Sequence, residues 1–120
     1  EKSRALTAES DFQAAYEIII EAEKIAPKDI EVLYAVAYLA IKLGHFAEAD
    51  KRYATRIEVG DGDRANRGTY FYQRIYNLVE RLKNRPLATE LVAARLARFP
   101  ADKELTKMLK ALKAGRRLPD

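Results

Sequence analysis

Between residues 38 and 53 the chain reads YLAIKLGHFAEADKRY. An apolar helical pattern carried by Leu39, Ile41 and Leu43 halts at Gly44, and a second begins at once with Phe46, Ala49 and Tyr53. Glycine has no Cβ to clash at positive φ, the conformation a helix C-terminus prefers. Two helices separated by so short a turn must run antiparallel. The stretch therefore specifies a helical hairpin with Gly44 at its corner.

The rest of the chain reads the same way, because Pro27, Gly44, Gly60, Gly62, Gly68, Pro86, Pro100, Gly115 and Pro119 all fall between apolar segments of helical period. Residues 11–26 predict a helix with Phe12, Ala15, Ile19 and Ala22 on one face, Asp11 as N-cap and Pro27 as its end. Residues 1–8 read as the tail of an earlier helix that leads into a Ser10–Asp11 corner. Residues 29–43 follow, capped by Asp29, with Leu33, Val36, Ala37 and Ala40 facing inward, and residues 46–59 form the next helix. The stretch EVGDGDRANRG is the one real loop. After it a helix runs to about Lys83 through Tyr72, Ile75, Tyr76 and Val79, starting near Arg64 behind an Asp63 cap or, since Gly68 weakens that start, near Thr69. In KNRP, Asn84 suits a left-handed corner and Pro86 the first helical position. Residues 86–99 carry Leu87, Leu91, Val92 and Leu96. Residues 102–114 set a stripe of Leu105, Met108, Leu109 and Leu112 apart from Lys103, Lys107, Lys110 and Lys113. The expected fold is all-α, with six or seven helices.

Composition narrows the function classes. At 48% apolar and 33% charged, the 120 residues can bury one continuous core, and the chain is not of the disordered type. No run of apolar residues approaches membrane-spanning length. The absence of cysteine excludes disulfides, thiolate metal sites and cysteine nucleophiles, and fits a periplasm. The chain begins at Glu1, with no signal peptide, which suggests an excised piece of a longer protein. Charge is uneven: residues 1–60 hold 8 Lys/Arg against 11 Asp/Glu, net −3, and residues 61–120 hold 14 against 7, net +7. On a helical protein such a basic half is usually a solvated face.

A period emerges on aligning the segments. Phe12 and Ala15 match Phe46 and Ala49 at a shift of 34, and Ala49 and Tyr53 match Ala88 and Val92 at a shift of 39, the loop supplying the excess. Small residues such as Ala37 and Ala49 belong where paired helices approach most closely. In this the chain resembles the tetratricopeptide (TPR) family of 34-residue helix–turn–helix repeats. Residues 30–63 carry the pattern best, with Leu33, Val36–Ala37, Gly44, Phe46, Ala49 and Tyr53; Pro27 stands at a closing proline, and Tyr72, Ile75, Tyr76, Ala88 and Pro100 mark a third unit. Departures are Arg56 where a small residue is usual, Arg85 at an aromatic position, and a loop in place of the closing proline after the second unit. The resemblance implies an α-solenoid, a right-handed superhelix of antiparallel helix pairs forming a single domain. Its parts would be a partial repeat (1–27), two repeats (28–63 and 64–101) and a capping or next-repeat helix (102–115).

Few residues carry chemistry. His45 is the only histidine and sits in a turn; without Cys or a second His, neither a transition-metal site nor a Ser-His nucleophile has support. DGDRAN (61–66) has part of the acidic spacing of a calcium loop, but Ala65 falls at a ligand position and the distal Glu is missing. No phosphate loop is present, and Glu21 with Glu23 reads as surface. The chain reads as non-enzymatic, without cofactor or metal. What remains is binding. The resemblance places Glu31, Tyr34, Tyr38, Ile41 and Lys42, then Tyr70, Gln73, Asn77, Glu80 and Arg81, on a concave groove, with Tyr34, Tyr38, Asn77 and Arg81 as leading contacts; the alternative packs the tyrosines inside the superhelix. Tyrosines stand where some members clamp a C-terminal carboxylate with Lys, Asn and Arg, so that subclass is not implied. The cysteine-free repeats further resemble the periplasmic solenoids of Gram-negative exopolysaccharide-export proteins of the Pel or poly-N-acetylglucosamine type. That implies a protein partner such as a polysaccharide-modifying enzyme, or the polysaccharide itself. Two other classes stay open: nucleic-acid or polyanion binding through Arg64, Arg67, Arg74, Arg81, Arg85, Arg95 and Arg98, and self-association through cut repeat ends.

Overall fold

A computed structural model describes residues 2–60 and 69–119, with side chains described for 9–59 and 70–119. Among the described residues the only regular elements are helical, with no strand: α1 (Lys2–Ile25), α2 (Ile30–Lys42), α3 (Phe46–Gly60), α4 (Thr69–Tyr76), a π-turn (Asn77–Arg81), α5 (Arg85–Arg98) and α6 (Lys103–Lys113). None of these helices is long and apolar enough to cross a membrane. The chain divides into two compact units, Glu1–Arg74 and Ile75–Asp120.

In the first unit α2 packs against both α1 and α3. Asp29 caps α2 as the sequence predicts, its Oδ1 accepting from the Val32 N–H at 3.1 Å. Leu33, Val36, Ala37 and Ala40 are all buried, as is Ala49 on α3, so small residues do stand where the hairpin closes. Gly44 has φ +80°; its N–H donates to the Ile41 carbonyl and the His45 N–H to that of Ala40, which satisfies the end of α2. The expected Ser10–Asp11 corner does not form. Helix α1 runs through it, because Ser and Asp favour caps but do not break a helix, and no Gly or Pro occurs between residues 2 and 25. Asp11 is therefore a mid-helix residue. The loop expected at 61–68, with its Asp63 cap and its calcium-like DGDRAN, lies outside the described residues, so α4 is described only from Thr69.

Ion pairs bind α3 to its neighbours. Arg52 Nε and Nη2 donate to the two carboxylate oxygens of Glu23 on α1 at 2.8 and 2.6 Å, while Nη1 reaches Glu48 Oε2 at 2.6 Å. Arg74 Nε on α4 donates to Asp50 Oδ1 at 2.8 Å. Arg56, which the repeat pattern makes an anomaly, is buried with its guanidinium 4.3 Å from the centroid of the Tyr70 ring. A desolvated contact of this kind is worth about 2 kcal/mol, so a ring face takes part of the place of water around the cation.

The second unit closes on Ile75, Leu78, Val79, Ala88, Val92, Leu105, Met108, Ala111 and Leu112, all buried. The predicted stripes of α5 and α6 hold: Val92 is buried between half-buried Leu91 and Leu96, and the four lysines of α6 are exposed. Asn84 caps α5 through a bond from the Leu87 N–H at 3.3 Å, and Asp102 caps α6 through one from the Leu105 N–H at 3.1 Å. The third corner departs from expectation. The Leu82 N–H donates to the Asn77 carbonyl, five residues back, and the Asn84 N–H to that of Leu78, six back. This widened turn shifts the buried face, so that Asn77, Leu78 and Val79 are buried in succession while Tyr76, expected inward, is 44% exposed.

Lys83, not Asn84, takes the left-handed conformation, at φ +55°, because the Asn84 side chain is occupied as a cap. An L-residue there costs about 1 kcal/mol or more, of which glycine would return part to unfolded-chain entropy. Lys83→Gly should therefore stabilise the protein by about 0.5 kcal/mol in urea unfolding; a loss of stability would show that the lysine side chain contributes there.

Candidate interaction face on the second helix

Helix α2 turns its core residues inward, and this dictates what its other side presents. Leu33, Val36, Ala37 and Ala40 face α1 and α3, so Ile30, Tyr34, Tyr38 and Lys42, spaced by four, form a row on the opposite side. Tyr34 is 56% exposed and Tyr38 46%. Of the two readings of these tyrosines, the structure has them on the surface. Their rings lie 6.4 Å apart at 18°, stacked, and Lys42 Nζ sits 5.4 Å from the Tyr38 centroid. Each exposed contact of this sort contributes about 0.5–1 kcal/mol, enough to bias the rotamers of a row that would otherwise sample many. Ile41 is half-buried and Glu31 exposed at the edges of the face.

The residues predicted from the third unit fare unevenly. Gln73 is exposed and Tyr70 half-buried beneath Arg56. Asn77 is a correction: at 0% exposure it has no surface to offer a partner, and its Oδ1 accepts from Arg81 Nη1 at 3.3 Å. The π-turn carries it inward, which an unbroken α-helical register does not anticipate. Arg81, half-buried like Glu80, also lies 5.2 Å from the Tyr76 centroid. Of the arginines considered for polyanion binding, Arg64 and Arg67 lie outside the residues whose side chains are described. Arg74 pairs with Asp50, and Arg95 and Arg98 lie 5.6 and 5.2 Å from the Phe99 centroid.

Sequence reasoning missed a second cluster, at the hairpin corner. The rings of His45 and Tyr16 are 5.4 Å apart, and Tyr16 is electrostatically coupled to Arg52, Glu48 and Glu23. Burial pushes the Tyr16 phenol above its ordinary pKa, the two carboxylates add to this, and Arg52 opposes it. Glu48 is held below the usual carboxylate range, chiefly by its hydrogen bond from Arg52. No local signal links Glu23 to Arg52, 29 residues away. Ile30, by contrast, was legible as one more step of four back from Tyr34. Among the described residues, no three Asp, Glu or His side chains are grouped to hold a metal ion.

The fold and this face define an all-helical chain that carries an exposed aromatic stripe on one of its hairpin helices. Compared with models of known protein families, with curated proteins and with solved structures, the chain has no match in any of the three.

Proposed function

We propose that the chain is a non-catalytic protein-interaction scaffold whose docking face is the row Ile30, Tyr34, Tyr38 and Lys42. One observation carries this reading: two stacked tyrosines stand exposed on a helix whose other side is fully committed to the core. Tyrosine gives a partner a large, rigid contact area with a polar tip at little entropic cost, and is among the residues that dominate binding energy. The Gly44 corner and the close-set alanines of the α2–α3 hairpin suit a TPR-type repeat, so the scaffold is read as a segment of a repeat array in an α-solenoid. The finer reading, a periplasmic arm in bacterial exopolysaccharide export that recruits a polysaccharide-modifying enzyme or guides the polymer, rests on the repeat resemblance alone.

The test is a crosslinking pull-down from an envelope extract of the native host, with the native chain beside a Tyr34→Ala/Tyr38→Ala variant of equal helicity. Loss of each hot-spot tyrosine costs about 2 kcal/mol, so a true partner should bind at least about a hundredfold more weakly to the double variant. A protein held by the native chain and by a Lys28→Ala control but lost by the variant supports the scaffold. Identical captures by all three would remove the α2 face from consideration.

A further inference from the structure

Four cations of the second unit surround a concavity at the end of α6. A pocket of ≈ 260 Å³ opens there, lined by Lys107 and Lys110 of α6, by Arg116 and Arg117 just beyond it, and by Ala111 and Pro119. Lys107 shares an exposed contact with Glu104 at 3.8 Å. Among the described residues, Lys110, Arg116 and Arg117 form no ion pair.

The arginine side of the pocket is built rather than draped. Gly115, at φ +70°, reverses the chain, and the Arg116 N–H donates to the Ala111 carbonyl at 2.9 Å. From α5, Arg85 Nη1 donates to the carbonyls of Arg116 at 3.1 Å and Leu112 at 3.4 Å. Two consequences follow. The backbone bearing Arg116 and Arg117 is clasped against the helix by donors of the chain itself. The terminal carbonyls of α6, the negative end of the helix dipole and the natural obstacle to an anion, are in part already occupied by donors. Complementing that dipole is reason enough for Lys110 in the last turn. It does not account for Lys107 a turn earlier, nor for two arginines past the helix that face the same space.

We propose that this pocket binds a phosphate-type oxyanion, free or carried on a small organic molecule. Among the described residues the lining holds four cations and no carboxylate, which favours a multiply charged anion over a monocarboxylate, and each guanidinium fork can pair with two oxygens of one group. The volume exceeds that of a bare phosphate, and Ala111 with Pro119 gives an attached carbon skeleton apolar contact. The site is lined by residues of the second unit and does not depend on the role of the tyrosine row.

The test is a ¹⁵N–¹H titration of the whole 120-residue chain with inorganic pyrophosphate, ionic strength being held constant with sodium chloride. Saturable shifts confined to residues 107–117 are expected, weakened at least about tenfold by Arg116→Gln/Arg117→Gln. Lys110→Gln, which leaves the Arg85 clasp in place, should weaken them by a smaller factor. Shifts of equal size around Lys24 and Lys51, or shifts unchanged in the arginine variant, would reduce the effect to a diffuse ion atmosphere and overturn the proposal. A second arm measures sedimentation with phosphatidylglycerol vesicles against phosphatidylcholine vesicles. Binding to the anionic vesicles without a pyrophosphate response would equally overturn it, in favour of a membrane surface.

Discussion

Leu33→Ala should lower the free energy of unfolding by about 3 kcal/mol, whereas Tyr34→Ala, one residue along, should change it by less than about 1 kcal/mol. The contrast follows from one turn of α2. Leu33 is buried between α1 and α3 with its neighbours Val36 and Ala37, so truncation removes apolar burial and leaves a cavity that rigid helices refill only in part. Tyr34 gives up an exposed stacking contact with Tyr38 and regains part of it in helix propensity, since alanine is the better helix former. Urea unfolding of both variants measures the difference directly. Comparable losses would mean that Tyr34 is packed in solution, and the docking face would lose its basis.

The second large effect is expected at Arg52. Its side chain is 14% exposed and that of Glu23 18%, and they meet through two parallel hydrogen bonds that tie α3 to α1. Arg52→Ala strands a carboxylate that is mostly out of water, which should cost about 2–3 kcal/mol, toward the lower end of what breaking a fully buried pair costs. Arg52→Lys should recover little of this, because an ammonium cannot make the forked contact. Removing both charges with Arg52→Met/Glu23→Met should restore most of the loss, since the penalty lies in the orphaned charge more than in the missing attraction. A double variant no more stable than Arg52→Ala alone would refute that account. Glu48 adds a pH signature. Its folded pKa lies below its unfolded value, so its contribution is fully present above about pH 4.5 and is lost as pH falls through the lower folded value. Its side chain is 41% exposed, so the dependence should be shallow, and Arg52→Ala should weaken it further, leaving only the contribution of Lys51.

What the sequence disclosed is what local chemistry decides. Gly44, Asp29 and Pro27 each act on the backbone within a few residues, and the corner and the caps of α2 stand where those residues put them. The stripes of α2 and α6 follow from period alone. Ser10 and Asp11 misled because a cap residue is permissive: it favours a helix start without forcing one when both flanks are helix formers. Asn77 misled for a different reason. A turn with one residue too many leaves no mark in composition, yet it changes which side chains face inward, so Tyr76 emerged and Asn77 went under. The Glu23–Arg52 pair needs two helices already in place before its partners can meet. As for the candidate face, spacing put Tyr34 and Tyr38 on one side of α2 and the repeat resemblance added Lys42; their exposure was not legible, because period separates two sides of a helix without saying which neighbour covers each.

The widened turn at Asn77–Arg81 also bears on how such a chain can change over generations. One residue in a helix is about 100° of rotation. A single-codon deletion within Asn77–Arg81 would remove the surplus and let the segment relax to ordinary α geometry, without turning the buried face of α4 or disturbing the caps at Asn84 and Asp102 that start the helices beyond. This segment can thus absorb a change of length that elsewhere would scramble the core. Relatives of this chain that differ by one residue between α4 and α5 should keep the same helices and the same corner, and differ in which of Tyr76 and Asn77 the solvent sees.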